Sequence, residues 1–428
     1  MTDLGFGFLN AMEHGEKRTA FEEKVVAALG ESSKKYFTEG PTLPNWTLGF
    51  QLSLEMVKMA YGTVKSKAIE ITEDNYTLEK ALEVMTPFRI TEADITGKGG
   101  QYRRHKWHVN RPEMLVSSDP IFDELTKDDV ELARKNTPRE FIADVIVPDS
   151  TIEKETEGGN TLDKILALEP LSENEPILVH YHGGGYARGS PGIYRGALLK
   201  IAKETGYRVI APNYRLTPEN PFPSCIHDGY RFFQYLLGQG FKPENIVIMG
   251  DSAGGNLVLE IALILKNANE KQPRGIVAFS PWTDLSGTRP AKIENAKYDF
   301  IASTGRESVL SAARLYMAPG KKVDEEMLEL LKHPFASPLY GNFDDCAPIY
   351  MQSGEAEILI NDNDNFAKHI GAKSVVIEGM EHPGFNTDDK NLYERYVGMV
   401  HVFFLFEEAN ESHAAIKGVG NFVRRLEK

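Results

Sequence analysis

Only two cysteines, Cys225 and Cys346, occur in the 428 residues. They have no CxxC spacing and form no metal-ligand pattern with histidine. That excludes a disulfide-rich secreted scaffold and a thiolate metal site, and leaves two free thiols in a reducing compartment as the expectation. Positive charge is also scarce: 48 Lys and Arg stand against 62 Asp and Glu, a net charge of −14. A nucleic-acid partner is therefore excluded, because phosphate binding needs clustered Lys and Arg. Long hydrophobic runs are missing too. The stretch from Trp46 to Thr63 comes nearest, but Glu55 and Lys58 interrupt it. It reads as a buried or half-buried helix rather than a membrane span. The N-terminal segment MTDLGFGFLNAMEHGEKR carries Asp3 early and lacks the basic start and apolar core of a signal peptide. Repeats and low-complexity tracts do not occur. The expectation is a soluble, cytoplasmic protein, and 41% hydrophobic residues suffice for one large core with an appendage.

Residues 1–135 read as helices joined by polar loops (Ala20 to Ala28, Leu48 to Ala68, Thr77 to Met85), then as a charged, irregular stretch from 91 to 136. The basic run Arg103, Arg104, His105, Lys106 reads as a solvated loop or a strand edge. From about residue 139 the pattern changes. Apolar strand candidates at Phe141 to Val147, Ile177 to Tyr181, Arg208 to Ala211, Ile246 to Met249, Gly275 to Phe279, Ile349 to Gln352 and Ser374 to Ile377 alternate with helical segments. The helices fall at Tyr194 to Glu204, Ile226 to Leu237, Ala253 to Asn267, Asp364 to Ile370 and Asn391 to Glu408. This alternation predicts an α/β fold with a mostly parallel central sheet covered by helices on both faces. Gly287 and Pro290 open an interruption at about 288–345 with helical patterns at Arg306 to Tyr316 and Asp324 to Leu331. It reads as a cap insertion into a catalytic domain spanning 136–428, with residues 1–135 contributing to the same cap.

The strand Ile246 to Met249 runs into Gly250-Asp251-Ser252-Ala253-Gly254, and a helix follows at once. A G-x-S-x-G string arises by chance roughly 0.15 times in a chain of this composition, so the string alone is weak. Strand, tight turn and helix together are the setting of a nucleophile elbow, which lifts Ser252 to the top of the sheet at a helix N-terminus. Upstream, the strand Ile177 to Tyr181 ends in His182-Gly183-Gly184-Gly185. Acyl transfer develops a negative oxygen, and backbone N–H groups aimed at it stabilise it by about 3 kcal/mol each. Gly183, Gly184 and Ala253 are the expected oxyanion-hole donors, and His182 is expected to fix the loop.

A serine nucleophile needs a base, and the base an orienting carboxylate, in the order Ser, acid, His. His369 and His401 fall within helical patterns, His333 in the insertion and His413 in the polar tail. His382 follows the strand Ser374 to Ile377 in a loop and is the expected base. For the acid, Glu355, Glu357, Asp362 and Asp364 compete after the strand Ile349 to Gln352. Placement just past the strand favours Glu355 or Glu357.

The segments H182GGGY186 and G250DSAGG255, with Asn213 to Pro223 (NYRLTPENPFP), Ser280 to Leu285 (SPWTDL) and His382 to Phe385 (HPGF), resemble in order the signatures of the hormone-sensitive lipase family of α/β-hydrolases. The resemblance covers about residues 140–410. It implies an α/β-hydrolase fold with a helical cap and a serine carboxylesterase acting through an acyl-serine intermediate on short- to medium-chain esters. It selects Glu357 as the acid, with Asp362 second. Two departures from the family pattern stand out: Glu357 occupies a position usually held by Asp, and Pro383 is an extra residue in the HGF motif. No cofactor or metal is implied. The expected partner is a small-molecule ester, with no nucleic acid and no stable membrane insertion, and a homodimer is compatible with the sequence. Two other readings share the fold: a deacetylase or lipase for esters of bulky lipophilic alcohols such as sterols, and a non-catalytic ligand receptor.

Overall fold

The computed structural model describes residues 16–89, 92–93, 95, 97–109, 120–135, 137–287, 292–301, 310–321 and 324–427. Its frame is one nine-stranded sheet, β1 (Gly100–Val109), β2 (Arg139–Pro148), β3 (Ile177–Tyr181), β4 (Arg208–Asn213), β5 (Ile246–Asp251), β6 (Gly275–Phe279), β7 (Ile349–Gly354), β8 (Lys373–Ile377) and β9 (Leu392–Tyr396). The spatial order is β1-β2-β4-β3-β5-β6-β7-β9-β8. β1 and β2, and β2 and β4, pair antiparallel; every later pair is parallel. The expected α/β architecture is borne out.

Period-2 alternation divides each central strand between two cores. Ile246 and Ile248 of β5 point into one apolar cluster, and Val247 and Met249 into the other. The first cluster is closed by α5 (Ser224–Gly238) and α6 (Ala253–Asn267), the second by α4 (Pro191–Thr205) and α10 (Asn410–Leu426). Three helices precede the sheet: α1 (Glu16–Glu39), α2 (Leu48–Ile69) and α3 (Leu78–Arg89). The insertion between β6 and β7 contributes α7 (Ala312–Met317) and α8 (Glu325–Leu330), and α9 (Ile360–His369) follows β7. Residues 306–309 of the expected helix Arg306 to Tyr316 lie outside the described residues. Ala60, Ala81, Val84 and Met85 from α2 and α3 share a small apolar cluster with Ala187, Leu310 and Leu315, so the first helices and the insertion meet above the loop after β3.

The structure corrects the sequence reading in two places. The stretch 91–136 is not irregular throughout: β1 runs from Gly100 to Val109 as the outermost antiparallel strand. Its arginines are paired, Arg103 with Asp163 at 2.7 Å. Arg104 and the buried Arg195 both grip the buried Asp144 of β2. The segment Asn391 to Glu408 is not a helix. It contains β9, which slots between β7 and β8 and leaves β8 at the edge. Leu392 and Tyr396 face one core and Tyr393 the other, and Gly398 (φ 64°) and Val402 (φ 45°) take left-handed conformations that end any helix.

Candidate active site

β5 is buried along its whole length and ends in the turn that carries Ser252. Ser252 has φ 53° and ψ −117°, a backbone conformation that L-residues rarely adopt. The surroundings hold it there. Its N–H donates to the Phe279 carbonyl at 2.9 Å, and its carbonyl accepts from Trp282 N–H and Asn256 N–H, each at 3.0 Å. A Cβ on Gly254 would collide with the carbonyl of Tyr181, which is why that position of the elbow carries glycine. The half-buried Ser252 thus stands at the N-terminus of α6, where free N–H groups favour negative charge.

The loop after β3 passes beside this turn. His182 is buried, stacks on Tyr214 at 4.3 Å between ring centroids and bonds through Nδ1 to the Gly183 carbonyl at 2.8 Å. Burial drops its pKa to about 4, so it stays neutral and acts as a strut. Gly183 departs from expectation. Its N–H already donates to Asp251 Oδ1 at 3.0 Å and to Tyr194 Oη at 3.1 Å. That N–H is already engaged. Gly184 has φ 116°, and a Cβ there would collide with the Arg188 carbonyl. Among the described residues, no hydrogen bond engages the N–H of Gly184, Gly185 or Ala253. The unengaged N–H groups of this loop and turn thus lie one residue along from the expected set of Gly183, Gly184 and Ala253. A methyl added at Gly185 would lie 3.1 Å from Ala312 Cβ, so α7 stands directly over this loop.

Glu357 lies three residues past β7 and is fully buried. Its carboxylate accepts from Ser280 Oγ (2.6 Å), Gly354 N–H (2.9 Å) and Asn363 Nδ2 (2.7 Å). Three donors fix its plane. Of the competing carboxylates, Glu355 is paired with Arg395 at 3.5 Å and Asp364 accepts from Tyr393 Oη at 2.9 Å. Asp362 sits in the first turn of α9.

The histidine facing Glu357 is His401. Its Nδ1 lies 3.9 Å from Glu357 Oε1, an ion-pair separation, and its ring is buried. Burial pushes the imidazole towards the neutral form, but Glu357, with Asp299 and Asp251 behind it, outweighs burial and holds its pKa above the ordinary value. The neighbouring Val402 N–H donates to Ser280 Oγ at 3.2 Å, the same hydroxyl that holds Glu357. The loop bearing His401 is fastened from the N-terminal side as well. Trp46 Nε1 donates to the Gly398 carbonyl and Asn45 Nδ2 to the Val397 carbonyl, each at 2.7 Å.

His382 is elsewhere, which corrects the expectation that it serves Ser252. Its Nε2 bonds to Glu394 Oε1 at 2.6 Å, and its Nδ1 accepts from Gly384 N–H and Asn421 Nδ2, each at 2.9 Å. Both ring nitrogens are spent. Glu394 is the middle residue of β9, opposite Gln352, so this pair lies halfway down the sheet under α10 and not at the strand ends. The side chains of His382 and Glu394 are sealed from solvent, and Phe385 packs on the His382 ring at 5.1 Å. The HPGF segment is thus a plug between the sheet and α10. The displacement follows from topology. β8 is the edge strand, so the loop after it must cross back over the sheet face to start β9, and the loop at the top of the sheet is the one after β9.

A family model described as the α/β hydrolase fold matches residues 178–386. The chain has the α/β-hydrolase fold. Among the relatives of this α/β-hydrolase, an esterase from Acinetobacter venetianus is 29% identical over 252 residues, 59% of this chain and 75% of the relative. An acetyl-hydrolase from Streptomyces hygroscopicus is 28% identical over 260 residues, 60% and 78% of the two chains. In fold, the chain resembles the crystal structure of an esterase from the bacterial hormone-sensitive lipase family, with a TM-score of 0.53, 22% identity and coverage of 97% and 100%. The stretch matched by the family model stops short of His401. The fold alone brings that residue to Glu357.

Proposed function

We propose that this α/β-hydrolase is a serine carboxylesterase with Ser252 as nucleophile, His401 as base and Glu357 as the carboxylate that orients it. The observation that carries the reading is the buried Glu357–His401 pair, tied through Ser280 to the Phe279–Trp282 segment that holds the strained elbow of Ser252. A buried carboxylate that raises the proton affinity of an imidazole is what a serine needs to lose its proton.

In the reaction, Ser252 Oγ attacks the ester carbonyl carbon as His401 takes the hydroxyl proton. Glu357 stabilises the imidazolium, and the N–H groups of Gly184, Gly185 and Ala253 receive the oxyanion. Collapse breaks the bond to the alcohol oxygen, which takes the proton from His401. Water then gives a proton to His401 and attacks the acyl-Ser252 carbonyl. The acid leaves and Ser252 is restored. No step calls for a cofactor.

We read the N-terminal helices and the insertion as one cap, because they share an apolar cluster above the oxyanion loop. Short to medium acyl groups are the proposed substrates. The acetyl-hydrolase among the relatives makes acetyl esters, including those of bulky alcohols, the first to test. No helix among the described residues is long and apolar enough to cross a membrane. Cys225 and Cys346 are free and buried, which supports an intracellular setting.

The test is fluorophosphonate labelling together with a p-nitrophenyl ester series from acetate upward. Wild type should label at Ser252 and turn over the shorter esters fastest, and Ser252→Ala should do neither. Unlabelled, inactive wild type would favour the receptor reading, and a preference for long chains would overturn the substrate range.

A further inference from the structure

The insertion holds the loops of the acid and the base together. Its short helical turn Ile293–Lys297 and the residues after it lie against both catalytic loops. Asn295 Nδ2 donates to the carbonyls of Glu355 (3.0 Å) and Glu357 (2.9 Å), and Lys292 N–H donates to the Ile358 carbonyl at 3.1 Å. Asp299 then closes the arrangement. Its Oδ2 accepts from Ile358 N–H at 2.9 Å, one residue past Glu357, and its Oδ1 accepts from His401 N–H at 3.4 Å and Phe300 N–H at 2.8 Å. The Phe300 ring lies 6.1 Å from the His401 ring. One buried carboxylate thus bonds the main chain of the acid loop and that of the base itself.

We propose that Asp299 is a positioning residue for the Glu357–His401 pair, and that its negative charge sets the proton affinity of His401 alongside Glu357. The inference rests on the reading of Ser252, His401 and Glu357 given above.

Two features go beyond what a structural clamp needs. Asn295 shows that this segment can hold a loop with a neutral amide, yet the position next to His401 carries a carboxylate that is almost fully buried. A buried charge is costly unless it is compensated. Its compensation here is main-chain N–H groups and the His401 imidazolium. Burial raises the Asp299 pKa to about 6, while His401 and the Ile358 N–H pull the other way and Glu357 reinforces the rise. His401 is faced by Glu357, Asp299 and Asp251. From α2, Lys58 and Tyr61 also feel Asp299, and Lys58 Nζ donates to the Lys297 carbonyl at 3.1 Å. Above about pH 6, Asp299 is therefore anionic and favours the imidazolium that forms as Ser252 loses its proton. Below it, the carboxyl is neutral and this support is withdrawn.

The experiment is the pH profile of kcat/KM on a short-chain p-nitrophenyl ester for wild type, Asp299→Asn and Asn295→Ala. Activity is normalised to the fraction of protein that a fluorophosphonate labels, so loss of folded enzyme does not count. Asp299→Asn keeps the shape and removes the charge. Its acid limb should move about half to one pH unit lower, because His401 loses one of the anions that raise its pKa, and its plateau should fall about tenfold. Asn295→Ala should lower the plateau with the acid limb unmoved. An Asp299→Asn limb that coincides with wild type would overturn the inference, and so would an equal shift in Asn295→Ala. Wild type that does not label, or His401→Ala with full turnover, would instead overturn the underlying assignment of the base.

Discussion

Two histidines, His382 and His401, each sit against a buried glutamate, and the fold predicts opposite consequences of losing them. In His401→Ala, Ser252 keeps its elbow and its oxyanion donors but has no proton acceptor. Loss of a base of this kind costs on the order of 10⁴-fold or more in kcat, about 5.5 kcal/mol of transition-state stabilisation. The protein should stay folded, since Glu357 keeps its bonds from Ser280, Gly354 and Asn363. In His382→Ala, the carboxylate of Glu394 is left buried beneath α10 with only the hydroxyls of Tyr350 and Tyr396 as partners. Removing one member of a buried pair costs roughly 3–5 kcal/mol of stability. That is several degrees of melting temperature for a domain of this size. Once normalised to labelled Ser252, its kcat should stay within about twofold of wild type. The assay pairs thermal unfolding with ester turnover per titrated site. The reasoning fails if His382→Ala is folded and inactive while His401→Ala turns over normally.

Glu357→Gln should cut kcat about 10⁴-fold with little change in KM, because the amide no longer stabilises the imidazolium, whereas Asp362→Asn should cost less than tenfold; steady-state kinetics of the two would reverse the acid assignment if the order were inverted. The acid limb of the wild-type kcat/KM profile should fall above the ordinary histidine value of about 6.5, because the charge of Glu357 favours the protonated His401 ring and activity needs the neutral one; a limb at or below that value would contradict the pairing. Gly184→Ala should lower kcat at least 10²-fold by driving the loop off the Arg188 carbonyl, measured at unchanged fluorophosphonate stoichiometry. Trp46→Phe removes the Nε1 bond to the Gly398 carbonyl and should cost about 1–3 kcal/mol of stability, read by denaturant unfolding; no loss would mean that the N-terminal helices do not anchor the base loop.

The contrast between Ser252 and His401 shows which parts of such a site a sequence makes legible. The elbow and the glycine loop are local. Gly254 stands where it does because the Tyr181 carbonyl leaves no room for a Cβ, and a strand, a turn and a helix in a row announce this constraint within a dozen residues. The glycine loop is legible only to within a residue. What engages the Gly183 N–H is Asp251, a partner 68 positions away in sequence. The proposed base is not local at all. Its place depends on which strand lies beside β7, and the apolar pattern favours Ser374 to Ile377 while Glu394 and Arg395 hide Leu392–Tyr396. Glu394 is tolerable inside the fold only because His382 arrives from the preceding loop to pair with it. Glu394, which hides that strand, therefore has as its partner the histidine that the sequence offers as the base. A Tyr-rich run closed by Gly398 was the available signal of a strand and turn there. Asp299 lies furthest from legibility, since only the folded insertion brings it to the main chain of Ile358 and His401. Motif-bearing groups are fixed by neighbours in sequence. The groups that tune them are fixed by packing, and they are the ones the sequence conceals.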